Sequence, residues 1–349
     1  MLTELLPLVR RNCRGDKQVS NSNPAAKGCD GEMRKALLIG IDAYDEFSDL
    51  GGCAADATRM NEVLQRHEEN YDRNYDCRLF TSSGKERIDS EFLSQKWNEL
   101  FEDFRGEILF YYSGHGAQTK RGAQIAAQNG NMVIPGLAMD ELLSLANESP
   151  AHEVVLILDC CYSGAFGDPA ILKGNSSLRE GITVLAASRP QGVAKEIQGH
   201  GVFTDLVISA LKGGAADVRG YVSAASVYSY VDQALGAWDQ RPIYKSYASK
   251  VSPLRRCKPQ VPDDVLRHLP GLFKKLDALH KLDPSYEHTH KTAKKENVEI
   301  FNKFKVLRDA RLLRTVGGED LFYAAMESKP AQLTPLGQFY WRLANNDRF

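Results

Sequence analysis

No stretch of the 349 residues holds the roughly eighteen uninterrupted apolar positions that a membrane-spanning helix needs. The opening Met1 to Arg14 is too short and too charged for a signal peptide, so the sequence places the chain in the cytoplasm, away from membranes. Cysteine is sparse and unpatterned. The seven residues Cys13, Cys29, Cys53, Cys77, Cys160, Cys161 and Cys257 form an odd set without a repeated C-x-x-C spacing, which argues against a disulfide framework or a zinc ribbon and implies reduced thiols. His280, His288 and His290 lie near Glu287, but no cysteine pair or acidic repeat completes a metal site, so no metal is assigned. There is no EF-hand loop, no cofactor is called for, and activation by calcium stays open. An excess of one charge is also missing, since the net charge is −1. That balance hides an asymmetry: Ser252 to Phe349 carries 18 basic and 12 acidic residues, the remainder 26 and 33.

Residues 15–33 (GDKQVSNSNPAAKGCDGEM) are polar, so residues 1–33 read as a poorly ordered extension. From Arg34, short apolar runs alternate with amphipathic stretches. Strands are expected at Lys35–Ile41 and Cys77–Thr81, and helices at Ala54–His67 and Ser90–Phe101. Glu107–Tyr112, Glu153–Leu158 and Ile182–Ala187 are apolar along their whole length, the pattern of strands covered on both faces. Helices at Met139–Asn147, Phe203–Leu211 and Ser223–Leu235 would supply the cover. The fold class expected over residues 34–251 is α/β, a doubly wound, mostly parallel sheet flanked by helices. Ser252–Pro262, rich in Pro and Arg, marks a boundary. Residues 263–349 read as a smaller, mainly helical domain: a helix at Val298–Leu313, a turn at Gly317–Gly318, a strand at Asp320–Ala325 and a helix at Thr334–Ala344, a winged-helix-like order.

Two apolar strands end in reactive sequences. Ile108–Tyr112 runs into Ser-Gly-His-Gly (113–116), and Val154–Leu158 runs into Asp-Cys-Cys-Tyr-Ser-Gly (159–164). Ligands of open parallel sheets gather at such carboxyl ends. If the strands are neighbours, a His and a Cys from different loops face one cleft, and an imidazole can take a thiol proton to make the attacking thiolate. The backbone N–H groups of Gly116 and Cys161 are candidate donors to the oxyanion, and such donors are worth about 3 to 4 kcal/mol of barrier.

Tyr-Tyr-Ser-Gly-His-Gly followed by Asp-Cys-Cys-Tyr-Ser-Gly resembles the caspase, metacaspase and paracaspase superfamily of cysteine peptidases. Leu37–Tyr44 and Gly51–Ala57 (GGCAADA) are similar to the first strand and the G-C-x-x-D-A segment of its metacaspase-like members, so the resemblance spans roughly residues 34–250. It implies the caspase-like fold, with Cys161 as nucleophile, His115 as proton-transfer partner, and Cys160 at a variable position read as a packed core thiol. It further implies that Asp56 and Asp159 line the pocket for the residue before the scissile bond, which favours Arg or Lys. Arg189, within Ala-Ser-Arg-Pro, is the residue that would tempt one toward the opposite, Asp-selecting reading. Family members are often activated by a cut after the nucleophile, so the loop Ala165–Gly181 is expected to be cleaved after Lys173 or Arg179, by the enzyme itself or by an activating protease.

The function expected is a cysteine endopeptidase acting on protein substrates, with a regulatory protein docking on the C-terminal domain and a setting in bacterial defence or stress. Two rival readings stand beside it: a catalytically silent scaffold, and a DNA-binding regulator acting through the basic C-terminal domain. The intact His/Cys pair favours the peptidase.

Overall fold

The computed structural model describes residues 33–120, 122–162, 178–187, 196–197, 200–235, 242–248 and 252–349, with the backbone alone at 161, 162, 196, 197 and 200. The strands are β1 (Arg34–Gly40), β2 (Asp76–Thr81), β3 (Glu107–Thr119), β4 (Gly122–Ala126), β5 (Gly136–Ala138), β6 (Glu153–Tyr162), β7 (Ile182–Ala186), β8 (Glu196–Ile197), β9 (His200–Gly201), β10 (Tyr221–Val222), β11 (Ile243–Tyr247), β12 (Arg255–Arg256), β13 (His280–Lys281), β14 (Leu313–Thr315) and β15 (Pro330–Leu333). The helices are α1 (Cys53–Leu64), α2 (Ser90–Phe101), α3 (Met139–Glu148), α4 (Val202–Ser209), α5 (Ala224–Leu235), α6 (Asp263–Arg267), α7 (Leu269–Leu272), α8 (Lys295–Asp309), α9 (Leu321–Met326) and α10 (Pro335–Asn345).

The main sheet runs β11-β7-β6-β3-β1-β2, with β4 and β5 added beside the far end of β3. β1, β2, β3, β6 and β7 are parallel to one another, while β11 and the β4–β5 pair are antiparallel additions. Alternation along each strand builds two cores. Leu37, Ile39, Phe110, Tyr112, Leu156 and Leu158 pack with Leu93 and Trp97 of α2 and Leu142 of α3. Leu38, Leu109, Tyr111, Val155 and Ile157 face Met60 of α1, Val207 of α4 and Val227 of α5. Gly40 lets α1 lie on β1, because a Cβ there would fall on the Cys53 carbonyl. The residue before α1, Gly52, takes a left-handed conformation and has no side chain to cap the helix. Asp42 does so from the end of β1, accepting from the amides of Cys53 (2.7 Å) and Ala54 (3.1 Å).

Two expectations need correction. β3 and β6 do not stop at Tyr112 and Leu158 but continue through the Ser-Gly-His-Gly and Asp-Cys-Cys-Tyr segments, so the reactive residues lie on strand rather than in loops. Turn-forming residues ended the sequence pattern there, whereas β4 and β6, pairing on either side of β3, hold it extended. The predicted strand Asp320–Ala325 is helix α9. Asp320 caps it by accepting from Phe322 N (2.9 Å), and the buried positions Leu321, Ala324 and Ala325 follow helical, not alternating, spacing.

The C-terminal residues form a third core of Leu266, Phe273, Phe301, Phe304, Leu313 and Tyr340, which also takes in Val218. Here β13, β15 and β14 make a three-stranded antiparallel sheet, with α9 between β14 and β15. No helix among the described residues is long and apolar enough to cross a membrane.

Candidate active site

Past the core, β3 and β6 run side by side in a register that pairs Ser113 with Asp159, Gly114 with Cys160, His115 with Cys161 and Gly116 with Tyr162. Neighbouring strands are about 4.8 Å apart. The sheet thus sets the backbone of the two expected reactive residues next to each other. Gly116 also faces Ile125 of β4. At Gly114 a side chain would meet the Tyr44 and Tyr112 hydroxyls, which explains a glycine within a strand.

The His115 ring is held from the segment that follows β1. Its centroid lies 4.8 Å from that of Tyr44 and 5.7 Å from that of Phe47. Nε2 sits 2.8 Å from the Ser48 carbonyl oxygen. A carbonyl only accepts, so Nε2 carries the hydrogen, and Nδ1 of the neutral ring is the basic nitrogen. The backbone N–H of His115 donates to the Tyr44 hydroxyl oxygen (2.8 Å), and that hydroxyl donates to the Ile41 carbonyl (3.2 Å). Burial pushes the Tyr44 hydroxyl well above its ordinary pKa, which keeps it neutral in this role.

Cys160 is fully buried in the core under α2 and α3. Asp56 and Asp159 are also buried, 1% and 2% exposed, and both meet the start of α4. Asp56 Oδ2 accepts from the Gly201 amide (3.0 Å), and Oδ1 lies 3.4 Å from the Arg59 guanidinium, which also reaches Asp205 at 2.5 Å. Asp159 Oδ2 accepts from the Thr204 hydroxyl at 2.6 Å. Cys53 adjoins them: burial pushes its thiol far up, a hydrogen bond with Ser113 opposes this, and the charges of Asp42, Asp159 and Asp56 add to the rise. This thiol stays protonated and is unsuited to attack. Cys53, Cys77 and Cys257 are free thiols.

Lys173 and Arg189 fall outside the described residues. Arg179 is tied down, its guanidinium donating to the carbonyls of Ala146 (3.2 Å) and Ala151 (2.9 Å) at the end of α3. His280 is spoken for by the Leu272 carbonyl (3.1 Å) and the Tyr286 hydroxyl (2.9 Å), and His288 by Glu287 at 2.6 Å. No group of three or more metal-ligating side chains occurs among the described residues.

Tyr44, Phe47, Ser48 and Thr204 were not legible as site residues. Tyr44 closes a strand-and-loop segment with a visible aromatic, which is a weak signal. Ser48 contributes a backbone carbonyl, which every residue possesses, so only the fold can single it out.

The caspase-domain family profile matches residues 33–255. Among curated relatives, Metacaspase-1 of Plasmodium falciparum is 30% identical over 153 residues, covering 40% of this chain and 25% of that protein. Metacaspase-5 of Trypanosoma brucei brucei is 30% identical over 153 residues, covering 38% and 29%. Metacaspase-1 of Ajellomyces capsulatus is 29% identical over 211 residues, covering 56% and 54%. The chain thus spans between a quarter and just over half of the length of these relatives.

Proposed function

Because this chain belongs to the caspase-domain family of cysteine peptidases, we propose that it is an endopeptidase that hydrolyses protein chains through Cys161 and His115. The observation that carries this reading is the register of β3 and β6, which makes His115 and Cys161 direct neighbours, with the Ser48 carbonyl selecting the His115 tautomer. His115 Nδ1 takes the Cys161 thiol proton, and the thiolate attacks the scissile carbonyl. Backbone N–H groups of Gly116 and Cys161 are the proposed donors to the oxyanion. Collapse of the tetrahedral intermediate breaks the C–N bond as imidazolium protonates the leaving amine, leaving a thioester. Water, deprotonated by His115, then releases the acid and restores the thiol.

The proposed preference is for Arg or Lys before the cut. Asp56 and Asp159 support it, being two carboxylates gathered by one helix start beside the reactive strand ends. Activating cleavage is proposed in the loop after Cys161. Lys173 is favoured over Arg179, whose guanidinium is already engaged by three backbone carbonyls. The C-terminal unit is read as a docking or regulatory module, and the free thiols accord with a cytoplasmic setting.

The test is cleavage of fluorogenic peptides ending in Arg, Lys or Asp, with and without millimolar calcium, by the wild type, Cys161→Ala and Cys160→Ala. Expected is activity on Arg or Lys that Cys161→Ala abolishes, whereas Cys160→Ala, a loss of core packing only, retains it. Cleavage after Asp would overturn the pocket assignment. Loss with Cys160→Ala alone would overturn the nucleophile.

A further inference from the structure

Thr204 is 0% exposed on the first turn of α4, and no sequence motif points to it. Its hydroxyl donates to Asp159 Oδ2 at 2.6 Å and lies 2.7 Å from the hydroxyl of Tyr111, itself 0% exposed on β3. A hydroxyl has one hydrogen. With that hydrogen given to Asp159, Thr204 can only accept from Tyr111, and the chain is directed: Tyr111 to Thr204 to Asp159. It links β3, α4 and β6 and ends on one oxygen of a carboxylate that stands two residues before Cys161. The same helix start holds the second carboxylate through the Gly201 amide.

We propose that Thr204 is a positioning residue for substrate specificity: its hydroxyl fixes the Asp159 carboxylate in the orientation that receives a guanidinium or ammonium group. The inference rests on the assignment of Asp159 to the basic-residue pocket. A charge-assisted hydrogen bond to one oxygen of a buried carboxylate restricts its rotation about the last side-chain bond. Tyr111 sits one step behind. It orients Thr204 without touching the carboxylate through this bond, so the two residues are not equivalent although they share a hydrogen bond.

That asymmetry supplies the experiment, run on the full chain with an Arg-ending fluorogenic peptide and with iodoacetamide as a small probe of Cys161 that bears no basic group. Thr204→Val keeps the shape and removes the donor; it is expected to raise KM roughly tenfold or more, with kcat changed less than about threefold. Thr204→Ser keeps the donor and is expected to restore KM. Tyr111→Phe removes the Tyr111–Thr204 bond but leaves the donor to Asp159, so its KM is expected to stay near wild type. All variants should be alkylated at the wild-type rate. Equal losses in Thr204→Val and Tyr111→Phe, or slowed alkylation in Thr204→Val, would show a merely structural network and overturn the inference. If Thr204→Val fails to fold, the serine variant decides: a KM as poor as that of Asp159→Asn overturns the proposal. Asp159→Asn in the same assay separates the premise from the inference. If it leaves the Arg peptide unaffected, the pocket assignment falls and the role of Thr204 with it. If it loses the Arg peptide while Thr204→Val does not, only the Thr204 proposal fails.

Discussion

At the scale of single residues, the proposed site is marked by how firmly one imidazole is held. Tyr44 and Phe47 box the His115 ring, Ser48 fixes its tautomer through a carbonyl, and the Tyr44 oxygen accepts the His115 backbone N–H. Tyr44→Phe keeps the aromatic wall and deletes the acceptor, which leaves that N–H without its tyrosine partner and relaxes the strand end carrying His115, the proposed base. The expected outcome in steady-state kinetics is a kcat lower by roughly tenfold with KM little changed, the size of one lost hydrogen bond. A rise in KM at constant kcat would instead make Tyr44 a substrate contact. The motif around His115 was readable in the sequence, and its supports were not, because a ring neighbour and a carbonyl carry no signature until the segment after β1 folds back over β3.

At the scale of elements, the two strands that present the site meet, at their other ends, in a like-charged pair. Glu107 and Glu153 are register partners on β3 and β6. Burial, and then the charge of Glu107, raise the Glu153 carboxyl to about 7, against hydrogen bonds from Ser252 and the nearby charge of Arg34. The folded chain therefore keeps a proton that the unfolded chain releases near its ordinary value of 4.5. Stability from this group is present at low pH and is lost as pH rises through about 7. Glu153→Gln mimics the protonated form. Thermal melts should show no change near pH 4.5 and a gain at pH 8 on the order of 1 kcal/mol after allowance for solvent screening, or roughly 2–4 °C. A fall in Tm at pH 8 would mean that ionised Glu153 is paired with Arg34 and stabilising.

At the scale of the whole molecule, the sheet unit and the C-terminal unit are joined at Arg219. Its guanidinium holds Asp263 at two points, Nε to Oδ1 at 2.9 Å and Nη2 to Oδ2 at 2.7 Å, and lies over the rings of Tyr221 and Phe349. Val218, just before it, is counted in the C-terminal core. The mutual hydrogen bonding raises Arg219 and lowers Asp263 from their ordinary values, so both stay charged near neutrality. Arg219→Ala is expected to cost about 2 kcal/mol, the range for hydrogen bonds between charged groups. In calorimetry it should split a single unfolding transition into two as the units uncouple. Arg219→Lys should recover only part of the loss, since an ammonium cannot form the two parallel bonds. An unchanged, single transition in Arg219→Ala would show that apolar packing around Val218 alone couples the units.

The sequence by itself determined the covered strands and most of the helices, because burial on both faces and amphipathic spacing are written into Leu37–Ile39, Val154–Leu158 and Ser90–Phe101, and it set a His and a Cys after two such runs as the candidates for the chemistry. Only the tertiary structure decided that β3 and β6 are neighbours in the register that joins His115 to Cys161, that Cys160 turns into the core, and that α9 is a helix. It also decided that Asp56 and Asp159, far apart in the chain, share one helix start through Gly201 and Thr204. Local pattern reports which face of an element is apolar. Which elements meet, and which carbonyl or hydroxyl arrives between them, depends on contacts distant in sequence and is settled only when the whole sheet closes.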